Sequence, residues 1–194
     1  QTGEYEATGI PAAILAHYLR ESSVIPEKAD LNSILFLLTP AETLAKFQHL
    51  VARIVRFEKH IRENSPVTQV LPTLAKAYPQ YRKLTINELC QLMHNFYAKH
   101  QLNKRQKQMF EREHRPKVAI SAFDAHNAFI RNEVELVSLH DIKGRIAMEG
   151  ALPYPPGVYC IVPGEVWDGA VLDYFLALQE GVNRLPGFEP EVQG

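Results

Sequence analysis

Asn32-Ser33-Ile34-Leu35-Phe36-Leu37-Leu38-Thr39-Pro40-Ala41-Glu42 is the stretch whose reading decides the fold class. Ile34 to Leu38 are apolar on consecutive positions between polar or turn residues, the pattern of a strand buried on both faces and so of a central sheet strand. Thr39-Pro40-Ala41-Glu42 then sets a Thr at an N-cap, a Pro at N1 and a Glu at N3, so that hydroxyl and carboxylate satisfy backbone donors reciprocally. A helix is expected to start there. Behind it Leu44, Phe47, Val51, Ile54 and Ile61 keep one apolar face while Arg53, Arg56, Lys59 and Arg62 crowd the polar side, which carries the helix to about Arg62. On the other side, Ile10 to Glu21 reads as a short amphipathic helix, with Pro11 at N1 and Ile14, Leu15, Tyr18 and Leu19 at helical spacing. Helix, buried strand and long helix together indicate an α+β fold.

Asn64-Ser65-Pro66 interrupts the long helix, and a domain boundary is placed near Ser65, dividing the chain into 1–65 and 66–194. From there to about Glu135 the pattern is almost wholly helical. A second capping box runs from Thr85 to Glu88, with Leu89, Leu92, Met93 and Phe96 behind it. Ser121 to Arg131 fits a helix that Ser121 caps and that turns Phe123, Ala128 and Phe129 inward; Ser138 to Ala147 fits another, with Leu139, Ile142 and Ile146 at helical spacing. At Gly150 the composition changes. Leu152-Pro153-Tyr154-Pro155-Pro156-Gly157 is a stiff turn or extended loop, because three prolines fix φ and remove backbone donors. Val158 to Val162 reads as a strand ended by Pro163-Gly164, and Trp167 or Asp168 opens a last helix that Leu185-Pro186-Gly187 stops.

Composition narrows the function. The 194 residues are 46% hydrophobic and 22% charged, the profile of a folded chain with a sizeable core. Lys plus Arg is 21 against 22 for Asp plus Glu, a net charge of -1, which leaves no positive excess for a phosphate backbone and argues against nucleic acid as a partner. No apolar run approaches the roughly 18 to 20 residues that cross a bilayer. The N-terminus carries acids where a signal peptide carries bases. With only Cys90 and Cys160 there is neither a disulfide framework nor a four-thiolate zinc site, and the cytoplasm is the expected compartment. A start at Gln1, without an initiator Met, suggests a piece of something longer.

Few residues carry chemistry. The eight histidines include no i,i+4 pair and no Cys at ligand spacing, so no metal site is expected. Lys104-Arg105-Gln106-Lys107 is the densest basic cluster, but with Glu111 and Glu113 following and no Gly-rich loop it reads as a solvated helix face. Cys160 lies in an apolar stretch, where a thiol is usually inert packing. The segment Pro153, Tyr154, Pro155, Pro156, Gly157 stands apart, since a rigid loop holds an aromatic hydroxyl against a ligand or partner at low entropic cost. A stiff structural turn explains the same residues equally well. Glu165 is the nearby carboxylate that could share a site with Tyr154.

Leu152-Pro153-Tyr154-Pro155-Pro156-Gly157-Val158 with Pro163-Gly164-Glu165 resembles the signature near the C-terminus of the bacterial ornithine/lysine/arginine decarboxylases. Gly9-Ile10-Pro11-Ala12-Ala13 at the start, and Pro186-Gly187-Phe188 with Gln193-Gly194 at the end, match the same family in order and spacing. Within it the ornithine-acting members are similar in Val24 to Lys28, Asp30 to Leu37, Thr39 to Glu42 and Glu149-Gly150-Ala151, and in having Cys160 where lysine and arginine members usually carry Pro. The resemblance implies part of a fold type I small domain over 1–65, then over 66–194 a mostly helical C-terminal domain with a short strand after the Pro-rich loop. It implies pyridoxal phosphate as cofactor, bound mainly by an upstream domain that holds the Schiff-base lysine, with no catalytic residue in this chain. It further implies L-ornithine as substrate, putrescine and CO2 as products, and a homodimer or larger homo-oligomer. The Tyr154 loop would then line the mouth of the substrate channel near the dimer interface, with Tyr154 a candidate to reach the cofactor of the partner subunit. The competing readings are lysine or arginine decarboxylation, and a non-catalytic oligomerisation module, which exposed apolar residues between Pro66 and Glu135 would favour.

Overall fold

A computed structural model describes residues 6–154 and 157–188, and the backbone of 191–193. It is α+β, with two compact units, one of residues up to Lys99 and the other from His100 onward.

In the first unit, helix α1 (Ala12–Glu21) buries Ile14, Tyr18 and Leu19, with Pro11 as its N-cap. A short antiparallel pair follows, β1 (Lys28–Ala29) with β2 (Ile34–Leu35). The stretch expected to be a strand buried on both faces is therefore regular over Ile34 and Leu35 alone, and Leu35, Leu37 and Leu38 are half or more exposed. Its apolar run has the composition of a central strand, but β1 is the one strand that pairs with β2 among the described residues. Helix α2 (Leu44–Glu63) begins later than expected. Thr43 is its N-cap, accepting from the Lys46 N–H at 3.4 Å, while Thr39 to Glu42 form a turn closed by the Glu42 N–H on the Thr39 carbonyl. Asn64, at φ 50°, ends α2 in the left-handed region.

Ser65 does not separate the compact units. The Ile86 N–H donates to the Ser65 carbonyl, Asn87 bonds to Asn64 and to the Ile61 carbonyl, and Val67 N–H reaches the Leu84 carbonyl. Those bonds tie α2 to α5 (Ile86–Lys99) around the short helices α3 (Val67–Val70) and α4 (Pro72–Ala77), and α5 packs against both α2 and α3. Glu21, at the end of α1, accepts from the Thr73 N–H at 2.8 Å and the Thr73 hydroxyl at 2.7 Å, a cap supplied from 52 residues away. The box expected at Thr85 is present: Glu88 accepts from the Thr85 N–H at 2.7 Å while Thr85 Oγ1 accepts from the Glu88 N–H at 3.3 Å. The Thr85 N–H and hydroxyl hold the Glu88 carboxyl below its usual range. Leu89, Met93 and Phe96 are buried as the spacing predicts, whereas Leu92 lies on the exposed side.

In the second unit, α6 (Leu102–Gln108) packs on α8 (Gly169–Arg184), whose Val171, Leu172, Tyr174, Phe175 and Ala177 form the core with Met109, Ala147, Ala151, Cys160 and Ile161. Asp168 caps α8 by accepting from the Gly169 N–H, and the helix stops at Leu185. Ser121 caps α7 (Ala122–Ile130) through the Asp124 N–H. The buried residue of α7 is Ala125; Phe123 and Phe129, expected inward, are exposed.

Ser138 to Ala147 is not helical. Gly144 sits at φ 77° and its N–H donates to the Trp167 carbonyl, so the chain leaves helical geometry to pair with a later segment. Residues 164–167 run between 117–120 and 144–147 and bond to both, with antiparallel bridges Val118 to Glu165 and Ile146 to Val166. The regular strand lies not after the Pro-rich segment but within its first half, as β3 (Leu152–Tyr154), which pairs with β4 (Glu191–Gln193). Val158 to Val162 makes instead a single bridge, Ile161 to Ala151.

Candidate functional site: the arm from Gly150 to Ile161

Pro155 and Pro156 lie outside the described residues; the rest of the Pro-rich arm is defined. The Cys160 N–H donates to the Ala151 carbonyl at 3.0 Å and the Ala151 N–H to the Ile161 carbonyl at 3.1 Å, so two successive residues oppose one, a β-bulge. Near the tip the Gly157 N–H donates to the Pro153 carbonyl at 2.9 Å. Gly157 has φ 73°, and a Cβ there would lie 2.8 Å from the Tyr154 ring, so glycine is required both by the backbone and by the ring above it. Pro153 is buried.

Glu165 is held by a turn of its own. Val162-Pro163-Gly164-Glu165 is a turn with Pro second and Gly third, closed by the Glu165 N–H on the Val162 carbonyl, and the Glu165 carboxylate accepts from the Val162 N–H at 2.9 Å. That carboxylate closes its own turn. A cleft of about 1050 Å³ does open in this unit, walled by Leu139, Ile142, Trp167 and Phe175, with Arg145 and Glu149 at its polar side and Gly150 and Ala151 from the base of the arm. Neither Tyr154 nor Glu165 lines it.

The remaining candidates resolve as the plainer readings expected. Lys104 and Lys107 are exposed and Arg105 reaches the Asp173 carbonyl at 2.6 Å, which makes the basic cluster a helix face with one strut to α8. Burial pushes the Cys90 thiol up to about 12 and the Cys160 thiol up to about 11, so neither carries a thiolate at neutral pH. Accordingly, a chromogenic disulfide reagent at pH 8 should label neither cysteine until urea is added, and then both. Rapid labelling of Cys160 in the native protein would contradict this. The sequence reading missed the seat of the Tyr159 ring on Gly150 and the Glu21 cap on α4; both contacts join residues with no shared local pattern.

The chain belongs to the Orn/Lys/Arg decarboxylase family: the family's pattern "Orn/Lys/Arg decarboxylase, C-terminal domain" matches residues 103–194 and "Orn/Lys/Arg decarboxylase, major domain" matches residues 1–46. Among its relatives, the inducible ornithine decarboxylase of Escherichia coli (strain K12) is 58% identical over 100% of this chain and 27% of its own length. The ornithine decarboxylase of Haemophilus influenzae is 56% identical over the same shares. The solved structure of the E. coli constitutive lysine decarboxylase matches with a TM-score of 0.90 and 31% identity, over 97% of this chain and 27% of that one. The chain thus spans about a quarter of the length of these relatives.

The residues present do not fit the anchoring of pyridoxal phosphate. A lysine that forms an imine at neutral pH needs desolvated surroundings or a neighbouring cation. Lys28 is partly buried in this chain and every other lysine is exposed. Among the described residues there is also no group of His, Cys, Asp and Glu able to hold a metal ion, and no helix long and apolar enough to cross a membrane.

Proposed function

We propose that this chain is the C-terminal part of an ornithine decarboxylase, a cytoplasmic pyridoxal-phosphate enzyme that converts L-ornithine to putrescine and CO2 in polyamine biosynthesis. The observation that carries the reading is the contrast between 58% identity to an ornithine decarboxylase over the whole chain and 31% to a lysine decarboxylase of the same fold. In this reading residues 1–65 belong to an aminotransferase-like small domain and 66–194 to the C-terminal domain. The C-terminal domain match itself covers residues 103–194, and the packing boundary lies at Lys99. The cofactor, which supplies the electron sink for loss of CO2, is held outside this chain. The chain contributes the Pro153 to Gly157 loop to the mouth of the substrate channel at a homodimer interface. The Gly157 N–H donates to the Pro153 carbonyl, which supports a fixed spacing between those two residues. Glu165 is the candidate carboxylate beside that loop, with one oxygen accepting from the Val162 N–H and acceptor capacity to spare.

The test is turnover of L-ornithine, L-lysine and L-arginine by the full-length protein. One methylene in an apolar pocket separates substrates by about 1–3 kcal/mol, whereas a fixed acceptor for the terminal ammonium discriminates far more strongly. Ornithine should lead in kcat/KM by about a hundredfold or more. Comparable values for lysine and ornithine would refute the assignment. Tyr154→Phe should fold normally and lower kcat/KM, and wild-type kinetics would remove its hydroxyl from the channel.

A second reading, an oligomerisation module, is favoured by exposed Phe123, Phe129 and Ile130 on α7 and by exposed Phe110 and Val118 before it. In its purely non-catalytic form it competes with the first, because it places no group of this chain at the substrate channel. A full-length Phe123→Glu variant that dissociates while its subunits stay folded would support it.

A further inference from the structure

Position 150 is a glycine without a backbone reason to be one. It does not adopt the left-handed region that Gly144, Gly157 and Gly164 occupy. What excludes a side chain there is Tyr159: a Cβ on Gly150 would lie 2.7 Å from Cε1 and 2.9 Å from Cδ1 of that ring, and 3.3 Å from the Ile161 carbonyl oxygen. A hydrogen is the largest substituent that the ring tolerates. Tyr159 itself is 58% exposed, so core burial does not account for its place.

The bulge explains how the ring gets there. In an unbroken strand successive side chains point to opposite faces, yet Cys160 and Ile161 are adjacent and both buried. The extra residue breaks the alternation, and bulges of this kind re-aim a neighbouring side chain. Tyr159, on the returning side of the arm, thereby rests on Gly150, on the outgoing side. The arm is closed at its base by this ring and by the two Ala151 hydrogen bonds, and at its tip by the Gly157 to Pro153 bond beneath the Tyr154 ring.

We propose that Tyr159 is a positioning residue: its ring, seated on Gly150, sets the angle at which the arm leaves the core and so the place at which Tyr154 meets the substrate channel. The proposal rests on the function given above. Its atoms act through packing, so the ring matters and the hydroxyl does not.

Tyr159→Ala, Tyr159→Phe and Gly150→Ala in the full-length protein test it, through kcat and KM on L-ornithine, the thermal midpoint, and amide hydrogen exchange across residues 150–161. Tyr159→Ala should lower kcat/KM by about tenfold, since small displacements of a positioning group are costly. It should also speed exchange at the Gly157 and Cys160 amides and leave the midpoint close to wild type. Tyr159→Phe should restore both kinetics and exchange. Gly150→Ala should reproduce Tyr159→Ala, and the double variant should be no worse than either single one, as expected for two parts of one contact. Unchanged exchange in Tyr159→Ala, equal losses in the Phe and Ala variants, or a midpoint that falls in step with activity would each overturn the proposal. If the wild-type protein turns over no ornithine, the functional reading fails, while the exchange data still decide whether Tyr159 positions the arm.

Discussion

Gly164→Ala is expected to destabilise the second unit by about 3–5 kcal/mol, a large share of the roughly 5–15 kcal/mol that holds a domain folded. Two independent causes act at that residue. Its φ of 93° lies where an L side chain is strained, and a Cβ there would stand 2.3 Å from the Ile120 carbonyl oxygen. Backbone cannot step aside as the end of a flexible side chain does. Nor is the segment free to shift, because the Gly164 N–H donates to the Ala147 carbonyl at 2.8 Å and its carbonyl accepts from the Ala119 N–H at 2.8 Å and the Ile120 N–H at 3.2 Å. Gly144→Ala is the control: φ is 77°, but nothing lies within 4 Å of its added Cβ, so the cost should be near the conformational penalty alone, about 1 kcal/mol. Urea unfolding can be followed through the chain's one tryptophan, Trp167, whose ring packs edge-on against Phe175 at 5.3 Å. Equal midpoints for the two variants would refute the steric argument.

His60→Ala is expected to cost the first unit about 2–3 kcal/mol at neutral pH, and the wild type should lose stability on acidification. The His60 ring is buried near the end of α2, edge-on to Tyr18, with Nδ1 2.9 Å from the Ser65 Oγ. Removing the ring leaves a void and a buried hydroxyl without that partner. Burial, and then the Arg56 charge, push the His60 pKa below its ordinary value. The folded state therefore favours neutral imidazole, and the unfolded chain binds the proton more readily. Stability is complete above about pH 6.5, the unfolded value, and declines as pH falls from there toward the lowered folded pKa. His60→Gln keeps a hydrogen-bonding group for Ser65 but does not titrate, so it should flatten this part of the profile. Unfolding monitored by circular dichroism between pH 5 and 8 would show whether the slope belongs to His60; the same slope in His60→Gln would assign it elsewhere.

Much of what rests on neighbours within a few residues was legible in the sequence, although the Thr39 to Glu42 signal marks a turn and Thr43 is the residue that caps α2. The Thr85 to Glu88 box, the Ser121 and Asp168 caps, the stop at Asn64 and the end of α8 at Leu185 are all where local chemistry puts them, because each backbone donor or φ constraint involved is settled within one helical turn. Family membership was legible for a related reason: it is carried by ordered motifs from Gly9 to Phe188 that need no three-dimensional information to be read.

Only the tertiary structure decided the outcomes that depend on distant partners. Ile34 to Leu38 has the composition of a central strand, but regular pairing extends only as far as a partner does, and β1 engages two residues of it. Leu139, Ile142 and Ile146 are spaced for a helix, yet the Arg145 and Ala147 backbone finds its partners at Trp167 and Glu165, and a ladder with a later segment displaces the helical bonds. The candidate site divides in the same way. Its stiffness was written in Pro153 and Gly157, whereas the bond from the Val162 N–H to Glu165 and the seating of Tyr159 on Gly150 follow from a turn and a bulge whose geometry is set by the segments packed around them.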